Sequence, residues 1–387
     1  MKKIVLVVFT FLITLCSFAQ IKTGAEQTDL YLPQLKNKTV VVLVNHTATI
    51  KQTHLVDSLL KLKIKVKKIF CPEHGFRGDA DAGEHVKNAK DKKTGLPIVS
   101  LYGANKKPKP TDLKGIDVVV FDIQDVGARF YTYISSMHYM MEACAENNVE
   151  FIVLDRPNPN GFYIDGPILK KENKSFIGMH PIPIVHGLTI GELAQMINGE
   201  KWLENGVKCK LTVVPCLNYT HKTMYELPIK PSPNLPNANS IILYPSVCLF
   251  EGTVISVGRG TPQPFEIIGH PSLSDSLYSF TPVAIEGASK NPPFKDQLCY
   301  GYKLCMISDD IKSKKQLNLS YLLKVYSEYG DKANFFTNFF RLLAGTDELQ
   351  KQIEQGLSEE EIRKSWKREI NVYKHLRKNY LLYEDFE

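Results

Sequence analysis

TVVVLVN, residues 39–45, decides how the first half of this chain folds. It is short, rich in β-branched residues and apolar throughout, with none of the polar alternation of a strand that has one wet face. Such a run suits a parallel strand buried on both sides. A helix-compatible stretch follows, from about Thr53 to Leu62. Then come VKKIF (66–70), PIVSLY (97–102), DVVVFDI (117–123) and EFIVLD (150–155). A long helical segment, roughly Thr132 to Asn147, separates the last two. Thr189 and Glu192 form a capping box whose helix closes at Gly199, and KLTVVP (210–215) reads as one more strand. This βα rhythm predicts an α/β fold built on a Rossmann-like, doubly wound parallel sheet.

PIKPSPNLPN (228–237) carries four prolines in ten residues and cannot be regular structure. It marks a boundary. Strand signals return at 281–286 and 298–307, followed by amphipathic helices, one opened by the capping box Ser358/Glu361. The expected organisation is a Rossmann-like domain over 20–235 and a smaller α+β domain over 236–387. A chain of 387 residues, 43% apolar and 23% charged, can build cores for both.

Residues 1–19 are expected to be a secretory signal. Lys2 and Lys3 precede an apolar stretch, Ile4 to Leu15, that is too short to span a bilayer. Ser17 and Ala19 are small residues at the positions a signal peptidase reads, so cleavage is expected before Gln20. Leu15 before Cys16 argues against a lipid anchor. The expectation is an exported protein, periplasmic or secreted, with no stable membrane insertion once the leader is gone. The net charge of +7 is spread over scattered lysines, as in KLKIKVKK (61–68), and excludes nucleic acid as a partner class better than it supports it. Seven cysteines remain beyond Cys16, none in a CxxC, and buried small hydrophobes is their expected role.

Polar residues gather just past the carboxyl ends of the expected strands. Asn45 and His46 follow the first strand, Glu73 and His74 the second. Asp122 ends the fourth, and Asp155 and Arg156 follow the fifth. In open parallel sheets these ends converge on one crevice, where ligands bind. The stretch CPEHGFRGDADAGE (71–84) is one of these loops. A second charged, glycine-rich stretch, FEGTVISVGRGTPQPFE (250–266), contains Glu251, Arg259 and Glu266 and can face the crevice from the other domain.

Bland readings stand beside these. Asp122 and Asp155 commonly cap the following turn, and Arg129 and Arg156 commonly pair with such carboxylates. DADAGE (79–84) lacks the ligand spacing of a calcium loop. His46, His74 and His85 with Glu73 show no zinc spacing, so no metal is expected. No GxGxxG follows the first strand, and no nucleotide cofactor is expected.

PEHGFRG (72–78) with AGE (82–84), FDIQDVGARFYTY (121–133), VLDRPNPNG (153–161), EGTVISVGRGT (251–261), LAGTDELQKQIEQG (343–356) and YLLY (380–383) together resemble the exo-β-N-acetylmuramidase family of bacterial peptidoglycan-recycling enzymes. The resemblance covers nearly the whole chain beyond the leader. It implies release of N-acetylmuramic acid from non-reducing ends of peptidoglycan fragments, in a cleft between a Rossmann-like domain and a smaller carboxyl-terminal one.

A glycosidase needs a proton donor for the leaving oxygen, and a base, a nucleophile or the substrate's own acetamido group to complete the displacement. Glu73 is the first choice for the catalytic carboxyl, with His74 beside it to tune or share its proton. Glu84, Asp122 and Glu251 are candidates for the second group. The lactyl carboxylate of N-acetylmuramic acid calls for an arginine, and Arg77, Arg129, Arg156 and Arg259 all lie in the motif blocks. Tyr131 and Tyr133 can stack on the sugar, while Asn45, His46, Asp155 and Glu266 complete the binding candidates. Two rivals are a non-catalytic glycan-binding protein in the same cleft, and a wall amidase using a metal or Cys71.

Overall fold

The computed structural model describes residues 20–73, 75–77 and 89–387. The expected leader, together with His74, Glu84 and His85, lies outside them. Among the described residues the strands are, in chain order, β1 (Thr39–Val44), β2 (Thr49–Ile50), β3 (Thr53–His54), β4 (Lys65–Cys71), β5 (Ala89–Lys90), β6 (Pro97–Ser100), β7 (Val118–Asp122), β8 (Glu150–Leu154), β9 (Lys210–Val214), β10 (Ile267–His270), β11 (Tyr278–Phe280) and β12 (Cys299–Lys303).

Seven of them form one sheet in the order β5-β6-β4-β1-β7-β8-β9. All neighbours run parallel except β5, which pairs antiparallel with β6 at the edge. The chain starts in the middle at β1, winds outward through β4 and β6, then returns to β7 and winds the other way. This is the doubly wound order, and its switch point lies between β1 and β7. The run 39–45 behaves as its composition requires. Val40, Val42 and Val44 belong to the apolar cluster on one face of the sheet, Val41 and Leu43 to the cluster on the other. Alternate side chains of a strand point to opposite faces, so only a strand covered on both sides tolerates this many valines.

Helices Leu55–Lys61, Tyr133–Glu146 and Ile190–Gly199 supply the cover. The last begins with the expected capping box, Thr189 Oγ1 accepting from the Glu192 N–H and the Glu192 side chain accepting from the Thr189 N–H. The proline-rich segment 228–237 carries no helix or strand until Asn237 caps the helix Ala238–Val247. Beyond it lie a small antiparallel sheet, β10-β12-β11, and helices that end with Glu359–Arg377. One strand expectation shifts. Residues 281–286 are irregular because Pro282 has no N–H to give a ladder, and the strand ends instead at Phe280.

The two halves are sewn together by polar groups. Arg129 is fully buried, and its guanidinium has no carboxylate partner among the described residues. Nη1 donates to the carbonyls of Pro167 and Ile182, at 2.8 Å each. Nη2 donates to those of Leu343 and Ala344, at 2.9 and 2.7 Å. The second pair of carbonyls closes the helix Phe340–Ala344 of the second domain, where helix ends carry partial negative charge. Gly345 follows at φ 77°, and a Cβ there would sit 2.4 Å from Arg129 Nη2. The chain end also returns to the first domain. Arg377 donates to the Gly187 carbonyl from Nε and Nη2, at 3.0 and 2.7 Å, and Tyr383 donates to Asp155 Oδ2 at 2.6 Å.

Replacing Arg129 by Met is expected to destabilise the protein by about 3–5 kcal/mol: the carbonyls of Pro167, Leu343 and Ala344 lose this donor at about 1–3 kcal/mol each, Ile182 keeps the Leu169 N–H, and no longer burying a charge offsets part of the loss. Gly345→Ala should destabilise less, through strain at positive φ and displacement of the same guanidinium. Chemical denaturation of both variants checks the order.

Candidate active site

The carboxyl edge of the sheet and the second domain enclose a cleft with two lobes. The enclosed lobe is a cavity of about 380 Å3. Its first-domain wall is Glu73, Phe130, Tyr131, Thr132 and Tyr133, and its far wall includes Asn234, Tyr244, Cys248, Glu251, Arg259 and Phe265. Most of these side chains are buried. The second lobe, about 460 Å3, is lined by half-buried residues that include Tyr102, Lys106, Ser175 and Phe176. Glu73, Thr132, Ile177 and Phe339 line both lobes. Glu73 is thus the one titratable side chain at their junction among the described residues.

Local structure explains why Glu73 is there. It is the second residue after β4, in a turn where the Gly75 N–H bonds back to the Pro72 carbonyl at 3.3 Å, with Gly75 at φ 74°. The Tyr102 hydroxyl lies against the Glu73 carboxylate, and burial together with that carboxylate pushes the phenol up to about 12. Tyr102 therefore stays a hydrogen-bond donor across the working range of pH.

The opposite wall is built around an ion pair. Arg259 Nε donates to Glu251 Oε1 at 2.7 Å, and Cys248 Sγ lies 3.4 Å from Glu251 Oε2. The Arg259 guanidinium sits 5.0 Å from the Phe265 ring centroid. Burial opposes its charge, but the Glu251 carboxylate outweighs burial and holds its pKa above the ordinary value. Among the described residues Arg259 spends only Nε in hydrogen bonding. Neither of its two amino groups makes a hydrogen bond to the described residues in the cavity that the residue lines.

Aromatic rings form the floor. Tyr131 and Tyr133 meet edge to face at 4.9 Å, and Tyr131 and Tyr244 at 5.7 Å. The Tyr131 hydroxyl donates to the Pro231 carbonyl at 2.9 Å, which pins the proline-rich segment over the cavity. Asn45 lies close to the Tyr133 hydroxyl, yet neither that hydroxyl nor Asn45 Nδ2 makes a hydrogen bond of good geometry among the described residues.

Two family models match the chain in sequence. The exo-β-N-acetylmuramidase NamZ amino-terminal model covers residues 40–239, and its carboxyl-terminal counterpart covers 242–383. The chain belongs to the NamZ exo-β-N-acetylmuramidase family. It is 42% identical over 373 residues to the peptidoglycan β-N-acetylmuramidase NamZ of Bacillus subtilis (strain 168), a match that covers 91% of this chain and 89% of that protein. It also resembles two crystal structures of DUF1343 family proteins from Bacteroides fragilis NCTC 9343. One is 51% identical with a TM-score of 0.88, covering 95% of this chain and 100% of that one. The other is 30% identical with a TM-score of 0.80, covering 94% and 99%. As a NamZ family member the chain is a glycoside hydrolase with a mixed α/β fold, as its motif blocks imply.

The structure brings Glu73, Tyr131, Tyr133, Glu251 and Arg259 to one cleft, and places the other expected site residues that it describes elsewhere. Asp122 is fully buried and paired with Arg156, whose Nη2 donates to Asp122 Oδ2 at 2.9 Å. Asp155 accepts from Thr189 Oγ1 at 2.7 Å and from the Gly191 N–H at 2.8 Å, anchoring the helix Ile190–Gly199. Arg129 is the carbonyl clamp described above. Arg77 makes a two-pronged pair with Asp91, at 2.9 Å through each of Nε and Nη2, holding the 71–77 loop beside β6. His46 Nε2 meets the Lys230 carbonyl at 2.9 Å. Asn45 Oδ1 accepts from Thr47, and Glu266 binds Asn237 and Asn239 at the head of the helix Ala238–Val247. Cys71 is fully buried at the end of β4. His74 and Glu84 lie outside the described residues. Asn234, Tyr244, Cys248 and Phe339 were not anticipated. Asn234 lies in a segment that reads only as a linker, and Tyr244 and Cys248 lie in an apolar helical run with no polar signal.

Asp125 sits beneath the tyrosines. It is buried, Oδ2 accepts from the Gly127 N–H at 2.7 Å, and Oδ1 has no hydrogen bond of good geometry among the described residues. Burial pushes this carboxyl up to about 7. Its neighbour His186, 3.9 Å away, is pushed down to about 3 by burial and stays neutral above that pH. An acid raised above its unfolded value of about 4 contributes stability at low pH that is lost as pH climbs through 7. The melting temperature of Asp125→Asn, measured against wild type, should therefore gain steadily between pH 4 and pH 8. A difference that stays flat across this range would place the Asp125 carboxyl in a wetter site.

Proposed function

We propose that the cleft cleaves β-N-acetylmuramides with the N-acetylmuramic acid residue in the enclosed lobe, the leaving sugar in the second lobe and Glu73 as the proton donor between them. The observation that carries this reading is the position of Glu73 at the junction of the two lobes. A glycosidic oxygen that joins a sugar in one lobe to a sugar in the other passes this carboxyl. Protonating that oxygen is what departure of the aglycone requires.

The unspent amino groups of Arg259 suit the lactyl carboxylate, which N-acetylglucosamine lacks. Glu251 holds Arg259 through Nε and is the second carboxylate lining the enclosed lobe. The tyrosines supply flat apolar faces for the ring. The substrate class is the one named for the Bacillus subtilis relative, peptidoglycan. Export follows as part of the same proposal: Lys2, Lys3 and the apolar stretch to Leu15 read as a leader, and peptidoglycan lies outside the inner membrane.

Glu73→Gln should lower kcat on natural disaccharides by about 10²–10⁴ with the fold intact. Aryl muramic acid glycosides, whose leaving group needs less protonation, should lose less. Near-normal kcat together with a lower melting temperature would instead make Glu73 a loop-holding residue. Arg259→Met should erase most of the preference for muramic acid over glucosamine glycosides, a loss of about 2–5 kcal/mol in discrimination. Comparing kcat/KM on the two chromogenic glycosides measures it, and an undiminished preference would assign the carboxylate to another group. Product analysis on a defined muropeptide separates this reading from a non-catalytic binder, which would release nothing.

A further inference from the structure

The second lobe contains a cation that the reading above does not use. Lys106 lies in the loop after β6, at the carboxyl edge of the sheet, and lines this lobe with Tyr102 and Phe176. Its ammonium is 4.5 Å from the Phe176 ring centroid, and Tyr139 stacks on the same ring at 6.1 Å and 10°. The ring holds the ammonium through a cation–π contact of about 0.5–1 kcal/mol, which does not neutralise its charge. Lys106 forms no ion pair among the described residues. The adjacent Lys107 shows the contrast, with Glu142 and Glu146 at 2.6 and 2.7 Å. The carboxylate that lines the lobe, Glu73, is already hydrogen-bonded by Tyr102.

We propose that the second lobe is an aglycone subsite in which Lys106 pairs with a carboxylate carried by the departing fragment beyond its first sugar. This rests on the cleavage reading above. In peptidoglycan the sugar after the leaving N-acetylglucosamine is again a muramoyl unit. It carries an acid either as its free lactyl group or, when substituted, on its stem peptide. A neutral leaving sugar satisfies the lobe's walls and leaves Lys106 unmatched. A fragment with one further muramoyl unit brings the counter-charge into a half-buried site, where a pair is screened less than at an open surface. The enzyme would thereby favour fragments longer than a disaccharide through a contact remote from the bond it cuts.

The test reads binding without turnover. Three aglycone mimics are titrated calorimetrically into the full-length protein. They are chitobiose, the disaccharide GlcNAc–MurNAc with a free lactyl group, and GlcNAc–MurNAc bearing a dipeptide that ends in a carboxylate. Wild type should bind one or both acidic mimics about tenfold more tightly than chitobiose, and which one does so identifies the source of the carboxylate. The advantage should fall to within about twofold in Lys106→Met and return in Lys106→Arg, with all three proteins melting alike. Equal affinity for all three mimics overturns the proposal. So does an advantage that survives in Lys106→Met, which would place the carboxylate on Arg259. The cleavage reading is checked separately by release of N-acetylmuramic acid from a disaccharide. A protein that shows the Lys106-dependent advantage but releases nothing keeps the subsite and loses the hydrolase assignment.

Discussion

The guanidinium of Arg129 is the constraint on which the cleft depends. It is a charge sealed in the interior with no carboxylate to answer it among the described residues, held by four carbonyl oxygens, two from each side of the molecule. Desolvating an arginine is unfavourable by several kcal/mol, and the arrangement persists only because every one of those oxygens is in place. Two of them belong to Leu343 and Ala344. Leu343 lines the enclosed lobe, and Phe339, one turn earlier, lines both lobes. Two residues after Arg129 in the chain comes Tyr131, on the opposite wall. The same side chain therefore sets the distance between the two walls. Gly345 completes the clamp by leaving room for the guanidinium.

The polar residues singled out in the sequence divide by where their side chains end up. Asp122, Asp155 and Arg156 sit under the cleft and spend their hydrogen-bonding capacity on Thr49, Thr189, Gly191, Tyr383 and one another. They shape loops and helix starts. Glu73, Glu251 and Arg259 are half-buried and line the enclosed lobe. The difference is physical. A buried carboxylate with a full set of donors is stable and inert, whereas catalysis requires a group whose proton or lone pair is still available when the substrate arrives.

The Pro-rich segment is more than a boundary. Its carbonyls at Lys230 and Pro231 accept from His46 and Tyr131, and its Asn234 lines the enclosed lobe. Prolines cannot donate from the backbone, so such a segment offers carbonyls to its surroundings without forming a ladder of its own. That makes it a suitable cover for a cavity whose floor presents tyrosine hydroxyls.

Much of this was readable before any coordinates. Apolar runs without alternation dictate strands covered on both sides, and the capping box at Thr189 and Glu192 marks a helix start because local hydrogen bonds decide it. Glu73, Glu251 and Arg259 were recognisable as candidates for the cleft, and the motif blocks carried the family. Which charges remain available was not readable. Arg77, Arg129, Arg156 and Arg259 are alike as letters, and burial and partners alone separate a carbonyl clamp and two two-pronged ion pairs from a guanidinium that gives only Nε to its carboxylate among the described residues. Asn234, Tyr244 and Cys248 reach the cavity through the meeting of distant segments, as does Lys106, set apart from Lys107 only by what each one touches. Local sequence governs the elements, because hydrogen bonds and side-chain periodicity act over a few residues. Only the tertiary structure decides which side chains share a cavity and keep an unspent valence, because that depends on distances between residues far apart in the chain.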